Sequence, residues 1–195
     1  MAKTAKFDRD EVIQKATNLY WEKGFHGTSM RNLQDVIDMR PGSIYAAFGS
    51  KENLFKESIQ HYANNGRNYL IQCRAHADSP LEALKAFIKR AVLDSQQTAP
   101  SGMCMLVKAI AELTEEQEEL LIEAKHLLAK MESEFAITLQ AAIDKGELDS
   151  SKDPAQLAKY VQIQIMGLRT YARTTGNITY VEQQIESMFS CELKS

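Results

Sequence analysis

The sequence contains no apolar run long enough to cross a membrane and no hydrophobic segment close to its first residue. A membrane-spanning helix needs about 20 consecutive apolar residues, and a secretory leader needs an apolar core behind a basic start. The chain opens instead with MAKTAKFDRDEV, in which polar and charged residues predominate. We therefore expect a cytoplasmic protein that has no membrane partner.

Cysteine and histidine are scarce, which argues against a disulfide framework and against a metal centre. The three cysteines, Cys73, Cys104 and Cys191, are odd in number and far apart, and the four histidines show no regular spacing. A disulfide scaffold needs paired cysteines, and a zinc site needs closely spaced Cys or His pairs. We expect reduced thiols, no metal and no other cofactor.

Strand patterns are missing as well, because no segment alternates convincingly between apolar and polar residues. Helix signals recur instead, each a capping residue followed by proline or, three residues later, by an acid or amide. They predict helix starts at Asp8, Ser79, Thr114, Asp153 and Thr179. We expect an all-α fold of about nine helices, with the helix after Thr114 ending at Gly146.

Charge is unevenly distributed along a chain whose net charge is −3. Residues 1–56 carry nine Lys or Arg and seven Asp or Glu, whereas residues 57–195 carry fourteen and nineteen. A basic front end favours contact with nucleic acid. We expect two domains, 1–56 and 57–195, joined by one continuous helix that runs from Lys51 past His61.

Residues 8–48 contain three short helices in quick succession, which is the arrangement of a helix-turn-helix unit. The third reads PGSIYAAF, with Pro41 at its first position and Gly49 beyond its end. Small residues keep one face bare, so the helix is thin enough for the major groove, which is about 12 Å wide. Ile44 and Phe48, four residues apart, would anchor the opposite face in the core.

Polar and small residues around this third helix are candidates for contacts with DNA. Arg40 can present two parallel donors to a guanine, and Tyr45 and Lys51 could reach phosphates. The predicted DNA-binding residues are Thr28, Arg31, Arg40, Pro41, Gly42, Ser43, Tyr45 and Lys51, and Lys3, Lys6 and Arg9 could follow the DNA backbone. Each alone could be an ordinary surface or core residue, but their clustering on one short helix favours DNA binding.

The string TSMRNLQDVIDMRPGSIYAAFGSKENLF resembles the DNA-binding signature of the TetR family of bacterial repressors. The shared pattern falls on Thr28, Leu33, Gly42, Tyr45, Phe48, Lys51 and Leu54, within residues 8–56. The chain departs from the family in the turn before Pro41, which would alter the base pairs read, and at Ala47, where the family often has histidine. The resemblance implies a homodimeric repressor that binds a palindromic DNA operator and responds to a small-molecule effector.

Residues 57–195 resemble the effector-binding and dimerisation domain of that family in the number and order of their helices. The segment LAKYVQIQIMGLRTYA offers a broad face with little charge, which suits pairing with a second copy. The resemblance also implies a ligand cavity among the middle helices, and methionine-rich linings accept varied apolar ligands. Its candidate lining residues are Phe87, Met105, Met131, Phe135 and Met166, all of which could equally be ordinary core.

The segment SGMCMLVKAIAEL places a cysteine near a predicted helix start at Pro100 or Ser101. Cys104 would lie in or near the first turn, with Lys108 four residues later on the same face. A helix N-terminus and a nearby ammonium both favour the reactive thiolate. The segment also resembles that of a thiol-sensing TetR subgroup, so Cys104 is a candidate redox sensor; the alternative is a small buried apolar residue.

Two other function classes stay open at this stage. An enzyme would need a nucleophile paired with a base, a supported carboxylate pair or a phosphate loop, and we find none of these, so we expect no catalytic residues. A protein-binding adaptor could use the same helices without DNA. That adaptor would tolerate the loss of Arg40, whereas a DNA-binding repressor would not.

Overall fold

The computed structural model describes residues 7–193, without the side chains of residues 191 and 192. Within that range the α-helices are α1 (Arg9–Lys23), α2 (Met30–Ile37), α3 (Pro41–Phe48), α4 (Lys51–His76), α5 (Pro80–Lys89), α6 (Ser95–Thr98), α7 (Met105–Glu112), α8 (Glu118–Asp144), α9 (Pro154–Thr175) and α10 (Ile178–Ser187). A π-helical turn, Arg90–Asp94, makes α6 a continuation of α5, and a second one, Met188–Glu192, extends α10. The predicted all-α fold of about nine helices is confirmed.

Capping residues begin most helices where the sequence predicts them. Asp8, Ser79 and Asp153 each accept hydrogen bonds from backbone N–H groups in the first turn that follows. Thr114 forms a reciprocal capping box with Gln117 ahead of α8, and a short 3₁₀ turn, Glu115–Gln117, precedes the regular helix. Local sequence therefore determines these four helix starts.

The predicted start of the last helix at Thr179 is wrong. Asn177 caps α10, and its side-chain oxygen accepts from the N–H of Tyr180 at 3.1 Å. Gly176 ends α9 directly before it, in the left-handed conformation with φ of 66°. Because asparagine is among the best capping residues, the chain enters α10 two residues earlier than predicted.

The helices enclose two hydrophobic cores. The front core lies among α1, α2, α3, the first half of α4, α7 and the first third of α8, and Tyr20, Phe55 and Met105 are almost fully buried in it. The back core lies among α4, α5, α8, α9 and α10, around Phe135 and Leu139. Residues of α7, which follow residue 56 in the chain, also pack into the front core. The boundary between the two cores therefore does not coincide with residue 56, and the domain division there stays a prediction.

Helix α4 runs without interruption through Gly66 and connects the two cores, as expected. A pair of arginines on α4 holds it against α8: Arg67 Nε lies 2.6 Å and Arg74 Nη2 lies 2.5 Å from the two carboxylate oxygens of Glu134. Glu134 is buried, whereas Arg67 is half exposed. No described helix has the length and apolarity that a bilayer span requires.

Candidate nucleic-acid interface and interior cavity

The turn between α2 and α3 is three residues long, and local hydrogen bonds hold both of its ends. The N–H of Asp38 donates to the carbonyl oxygen of Gln34 at 2.9 Å, and the N–H of Ser43 donates to that of Arg40 at 2.9 Å. Ser29 caps α2 by accepting from the N–H of Asn32 at 3.1 Å. Asp38 ends that helix in the left-handed conformation with φ of 54°, which aspartate tolerates better than most residues. Ile44 and Phe48 are buried in the front core, as predicted, so α3 is fixed by one face only.

The opposite face of α3 is open to solvent. Arg40, Pro41, Gly42, Ser43 and Tyr45 are all exposed, and Tyr45 retains 49% of its accessible surface. A Cβ added to Gly42 would meet no atom within 4 Å. The face is therefore slim and unobstructed by the rest of the described chain.

Two arginines flank this face and are free to contact a partner. Arg31 on α2 and Arg40 at the N-terminus of α3 are exposed, and neither side chain makes a hydrogen bond or ion pair with another described residue. The side chains of Ser43 and Tyr45 are likewise unpaired within residues 7–193. The structure thus brings six of the eight predicted contact residues together on one surface.

Thr28 and Lys51, also predicted as DNA contacts, do not lie on that surface. Thr28 is fully buried and donates from Oγ1 to the carbonyl oxygen of Gly24 at 2.6 Å. Lys51 Nζ donates to the carbonyl oxygen of Phe25 at 2.7 Å and lies 4.2 Å from the centre of the Phe25 ring. The loop between α1 and α2 turns carbonyl groups inward, and these two side chains satisfy them.

The basic residues at positions 3, 6 and 9 divide between the undescribed and described parts of the chain. Arg9 is bound to the protein itself, because its guanidinium contacts Glu57 at 2.6 Å and the carbonyl oxygen of Ala47 at 3.1 Å. Lys3 and Lys6, expected to follow the DNA backbone, lie outside the described residues. Arg9 therefore fixes α1 to the end of α3 and to α4.

A cavity of about 640 Å³ lies between α1 and the back core. Phe87, Met131 and Phe135 line it, as predicted, and the rings of Phe87 and Phe135 are 5.5 Å apart. Residues of α1, among them Thr17 and Trp21, form part of its wall. The cavity therefore borders directly on the helix-turn-helix unit.

Met105 and Met166 lie outside the cavity lining, contrary to prediction. Met105 is 1% exposed within the front core, because α7 begins at this residue and not near Ser101. On α9, Ile165 and Arg169 take the cavity face. Since successive residues in a helix are rotated by about 100°, Met166 is turned away from it.

The polar side chains in the cavity wall were not identified from sequence. Arg169 is 5% exposed and donates from Nε to the carbonyl oxygen of Gly102 at 2.9 Å and from Nη1 to the Tyr62 hydroxyl at 3.4 Å. Its Nη2 and the Oε1 of Gln162 are buried, and neither has a hydrogen-bond partner in the described part of the chain. The sequence contains one indication of them. Gln162 and Arg169 are seven residues apart, so they lie on the same side of a helix that carries few other charges.

Cys104 also lines the cavity, but its neighbours differ from those predicted. It is the N-cap residue of α7, and its Sγ accepts from the Tyr62 hydroxyl at 3.6 Å. Lys108 Nζ donates instead to the carbonyl oxygens of Trp21 at 2.7 Å and Glu22 at 3.0 Å, at the C-terminal end of α1. The expected pairing of the Lys108 ammonium with the thiol is therefore absent, because the last carbonyl groups of α1 attract that ammonium.

Helix α7 and the segment before it are tied to the helix-turn-helix unit by hydrogen bonds. Trp21 Nε1 donates to the carbonyl oxygen of Met103 at 2.7 Å, and the N–H of Phe25 donates to Glu112 at 2.6 Å. Together with Lys108, these contacts join both ends of α7 to the last turn of α1. A shift of α7 would therefore move α1.

Two protein families match the chain. The family described as bacterial regulatory proteins, tetR family, matches residues 12–58, and the tetracyclin repressor-like C-terminal domain matches residues 80–188. The second match alone spans more than half of the 195 residues. Both families consist of regulators and not of enzymes.

Individual relatives and a solved structure agree with this assignment. The uncharacterized HTH-type transcriptional regulator YezE of Bacillus subtilis (strain 168) is 23% identical over 192 residues, which are 97% of this chain and 98% of YezE. The transcriptional repressor ComR of Escherichia coli (strain K12) is 24% identical over 91% of this chain and 85% of its own. A cysteine mutant of the tetR-family regulator CifR, solved with 26-bp operator DNA, superposes with a TM-score of 0.86, at 26% identity over 97% of this chain and 99% of CifR.

The helix-turn-helix geometry, the helical back domain and both family matches lead to one assignment. The chain belongs to the tetR family of bacterial regulatory proteins.

Proposed function

We propose that this chain, a DNA-binding transcriptional repressor of the tetR family, binds a palindromic operator as a homodimer and is released when an effector enters its cavity. The observation that carries the proposal is the exposed, unobstructed face of α3, with Arg40 and Tyr45 unpaired beside Gly42. The operator-bound structure of CifR, which covers the whole fold, supports it.

The exposed face of α3 has the dimensions and chemistry for the major groove. The groove is about 12 Å wide, and a helix with small residues on one side can approach the base edges. Arg40 stands at the N-terminus of α3, where recognition helices contact bases, and its fork can donate twice to a guanine. Arg31 and Tyr45, both exposed, would contact the phosphate backbones on either side of the groove.

A second copy is required for two half-sites, and α9 offers a surface for it. Ile163 keeps 65% of its surface exposed, and Gly167, one turn later, is exposed with no atom within 4 Å of an added Cβ. A small residue beside an apolar one lets two helices approach closely. The paired recognition helices should then be about 34–36 Å apart, one turn of DNA.

The cavity supplies the connection between effector and operator. Its wall includes Thr17 and Trp21 of α1 and Tyr62 of α4, so an effector would contact the helices that position α3. Its volume of about 640 Å³ lies within the usual range for sites that hold small organic molecules. In this proposal residues 1–56 form the DNA-binding domain and residues 57–195 the effector-binding and dimerisation domain.

Modification of Cys104 is a second candidate trigger, because this half-exposed thiol lines the same cavity. An adduct on its sulfur would displace the Tyr62 hydroxyl and enter the space that an effector would fill. The two triggers are compatible, since both would act on the segment that joins α7 to α1.

Selection from a random duplex pool, followed by a charge insertion on α3, tests the proposal. We expect the wild type to enrich an inverted repeat whose half-sites are centred about 10 bp apart. Ala46→Glu places a negative charge on the exposed face of α3 and should abolish binding. Ala129→Glu, the same change at an exposed position of α8, is the matched control. Unchanged affinity in Ala46→Glu would refute the proposed interface.

A further inference from the structure

A buried arginine without a counter-charge faces the cavity. Arg169 is 5% exposed, and no carboxylate among the described residues lies within ion-pair distance of it. Within residues 7–193 its guanidinium contacts only neutral groups, the Gly102 carbonyl and the Tyr62 hydroxyl, and its Nη2 has no hydrogen-bond partner. Buried charges in proteins are otherwise paired, because an uncompensated one is costly.

The other charged groups of the lining do not compensate Arg169. They are Arg90, whose guanidinium lies 3.8 Å from the centre of the Tyr69 ring, and Asp94, which is exposed. Neither forms an ion pair with a described residue. The lining therefore carries one net positive charge, and the only buried charge within it is Arg169.

Besides the Gly102 carbonyl and the Tyr62 hydroxyl, the cavity offers apolar side chains and one buried amide. Ile165 lies one turn before it on the same face of α9, and Phe87, Met131 and Phe135 form the wall opposite. Gln162, 8% exposed and two turns away, has an unpartnered side-chain oxygen. An amide can be rotated to present either its acceptor or its donors. The cavity thus combines a cationic end with an apolar body and one adaptable polar contact.

We propose that the effector is an organic acid whose carboxylate binds the free edge of Arg169 and whose apolar body lies against Ile165, Phe87 and Phe135. This inference rests on the proposed function and specifies the ligand class of its cavity. A carboxylate is planar and accepts two parallel N–H bonds from a guanidinium, which an alcohol or an ester cannot match. The same ligand would neutralise the buried charge of Arg169, which no described residue compensates.

The test uses decanoate, 1-decanol and decylammonium as probes with one alkyl chain and three head groups. Trp21 is the only tryptophan of the chain and lines the cavity, so its fluorescence reports binding directly. We expect decanoate to bind the wild type at least ~10-fold more tightly than 1-decanol and decylammonium to bind most weakly. Equal binding of decanoate and 1-decanol would overturn the inference, as would no binding of decanoate.

Substitutions on α9 separate the role of Arg169 from general effects. Arg169→Gln should weaken decanoate at least ~10-fold and leave 1-decanol unchanged, and Arg169→Lys should restore part of the preference. Arg173→Gln, one turn later and exposed, is the matched control. If Arg169→Gln does not fold by circular dichroism, the wild-type comparison of the three probes decides. Undiminished decanoate affinity in a folded Arg169→Gln protein would refute the role of the arginine.

Operator binding measured in the same samples distinguishes this inference from the proposed function. If 1-decanol releases operator DNA as well as decanoate does, effector release stands and the assignment of an acid fails. If decanoate binds through Arg169 and the DNA stays bound, the inference that the cavity binds an organic acid is supported, and the proposal that this ligand releases the operator is refuted.

Discussion

The ammonium of Lys51 donates to the carbonyl oxygen of Phe25 at 2.7 Å, and so fixes the loop after α1 to the first turn of α4. Burial lowers the pKa of Lys51 against the opposing effect of Glu52 and Glu112. We therefore expect Lys51→Met to lower the free energy of unfolding by about 1.5–3 kcal/mol, the value of a hydrogen bond that involves a charged group. Urea unfolding measures this, with the exposed Lys130→Met as control.

The same substitution should leave the salt dependence of operator binding unchanged once the protein is folded. A side chain that neutralises one phosphate would lower the slope of log K against log salt by about one. A slope reduced by about one in Lys51→Met would show that Lys51 leaves Phe25 and contacts DNA.

Arg40 should determine the base at one position of each half-site. Its side chain is exposed, makes no hydrogen bond or ion pair with another described residue, and lies at the N-terminus of α3, the proposed recognition helix. We expect Arg40→Ala to cost about 1–3 kcal/mol of binding to the selected operator and to relax the preference at that base pair. Fluorescence anisotropy with single-base operator variants measures both effects. Arg173→Ala on α9 serves as control, and a protein-binding adaptor would show no loss with either substitution.

Glu134 should make stability dependent on acid pH. Burial alone would raise its pKa, but hydrogen bonds from Arg67 and Arg74 outweigh this and hold the pKa below its usual value. The unfolded chain then takes up the proton first, at about pH 4.3. The stabilisation is therefore fully present above that pH and is lost as the pH falls through the lower pKa of the folded state.

We expect Glu134→Gln to destabilise the fold by about 2 kcal/mol near neutral pH and by progressively less below pH ~4. Unfolding curves at several pH values measure the difference. Glu132→Gln, two residues earlier on α8, is the control and should show no such trend. A difference that is independent of pH would show that the carboxylate charge is not the cause.

Ile163 should be central to the pairing of two copies. It is 65% exposed on α9, one turn before the exposed Gly167. We expect Ile163→Glu to convert a dimer into a monomer in sedimentation experiments, because an unpaired charge would be buried in the interface. Ile122→Glu, at a similarly exposed position near the start of α8, should leave the dimer intact. A dimer that survives Ile163→Glu would place the interface elsewhere.

Alkylation of Cys104 tests whether this thiol is a trigger. We expect iodoacetamide to lower the operator affinity of the wild type at least ~10-fold and to leave Cys104→Ala unaffected. Cys73 is buried and should react slowly. An alkylated wild-type protein with unchanged operator affinity would retire the sensor hypothesis.

The parts of the fold that depend on nearby residues could be predicted from the sequence. Asp8 and Ser79 begin their helices as expected, and Ile44 with Phe48 anchors α3, because caps and helical spacing act over a few residues. The roles of Lys51 and Lys108 could not, since their partners lie 26 and 87 residues away. A sequence pattern indicates that a lysine is available, but only packing decides which carbonyl group it meets.

The cavity shows the same division between local and distant determinants. The aromatic lining at Phe87 and Phe135 was predicted from the family resemblance, which implies a cavity among the middle helices. Arg169 is a candidate ligand contact because no described carboxylate pairs with it. The spacing of residues in the sequence cannot show whether a residue from a distant segment will pair with it in the fold. Met105 was misplaced because the start of α7 lay four residues later than the sequence indicated.

Three consecutive residues before α7 meet three different helices: Gly102 accepts from Arg169 of α9, Met103 from Trp21 of α1, and Cys104 from Tyr62 of α4. These three residues connect the three helices. An organic acid bound to Arg169, next to Gly102, and an adduct on Cys104 would therefore disturb the same short stretch of backbone. Chemically unrelated signals would then displace the same segment, and the regulator would respond in the same way to each of them.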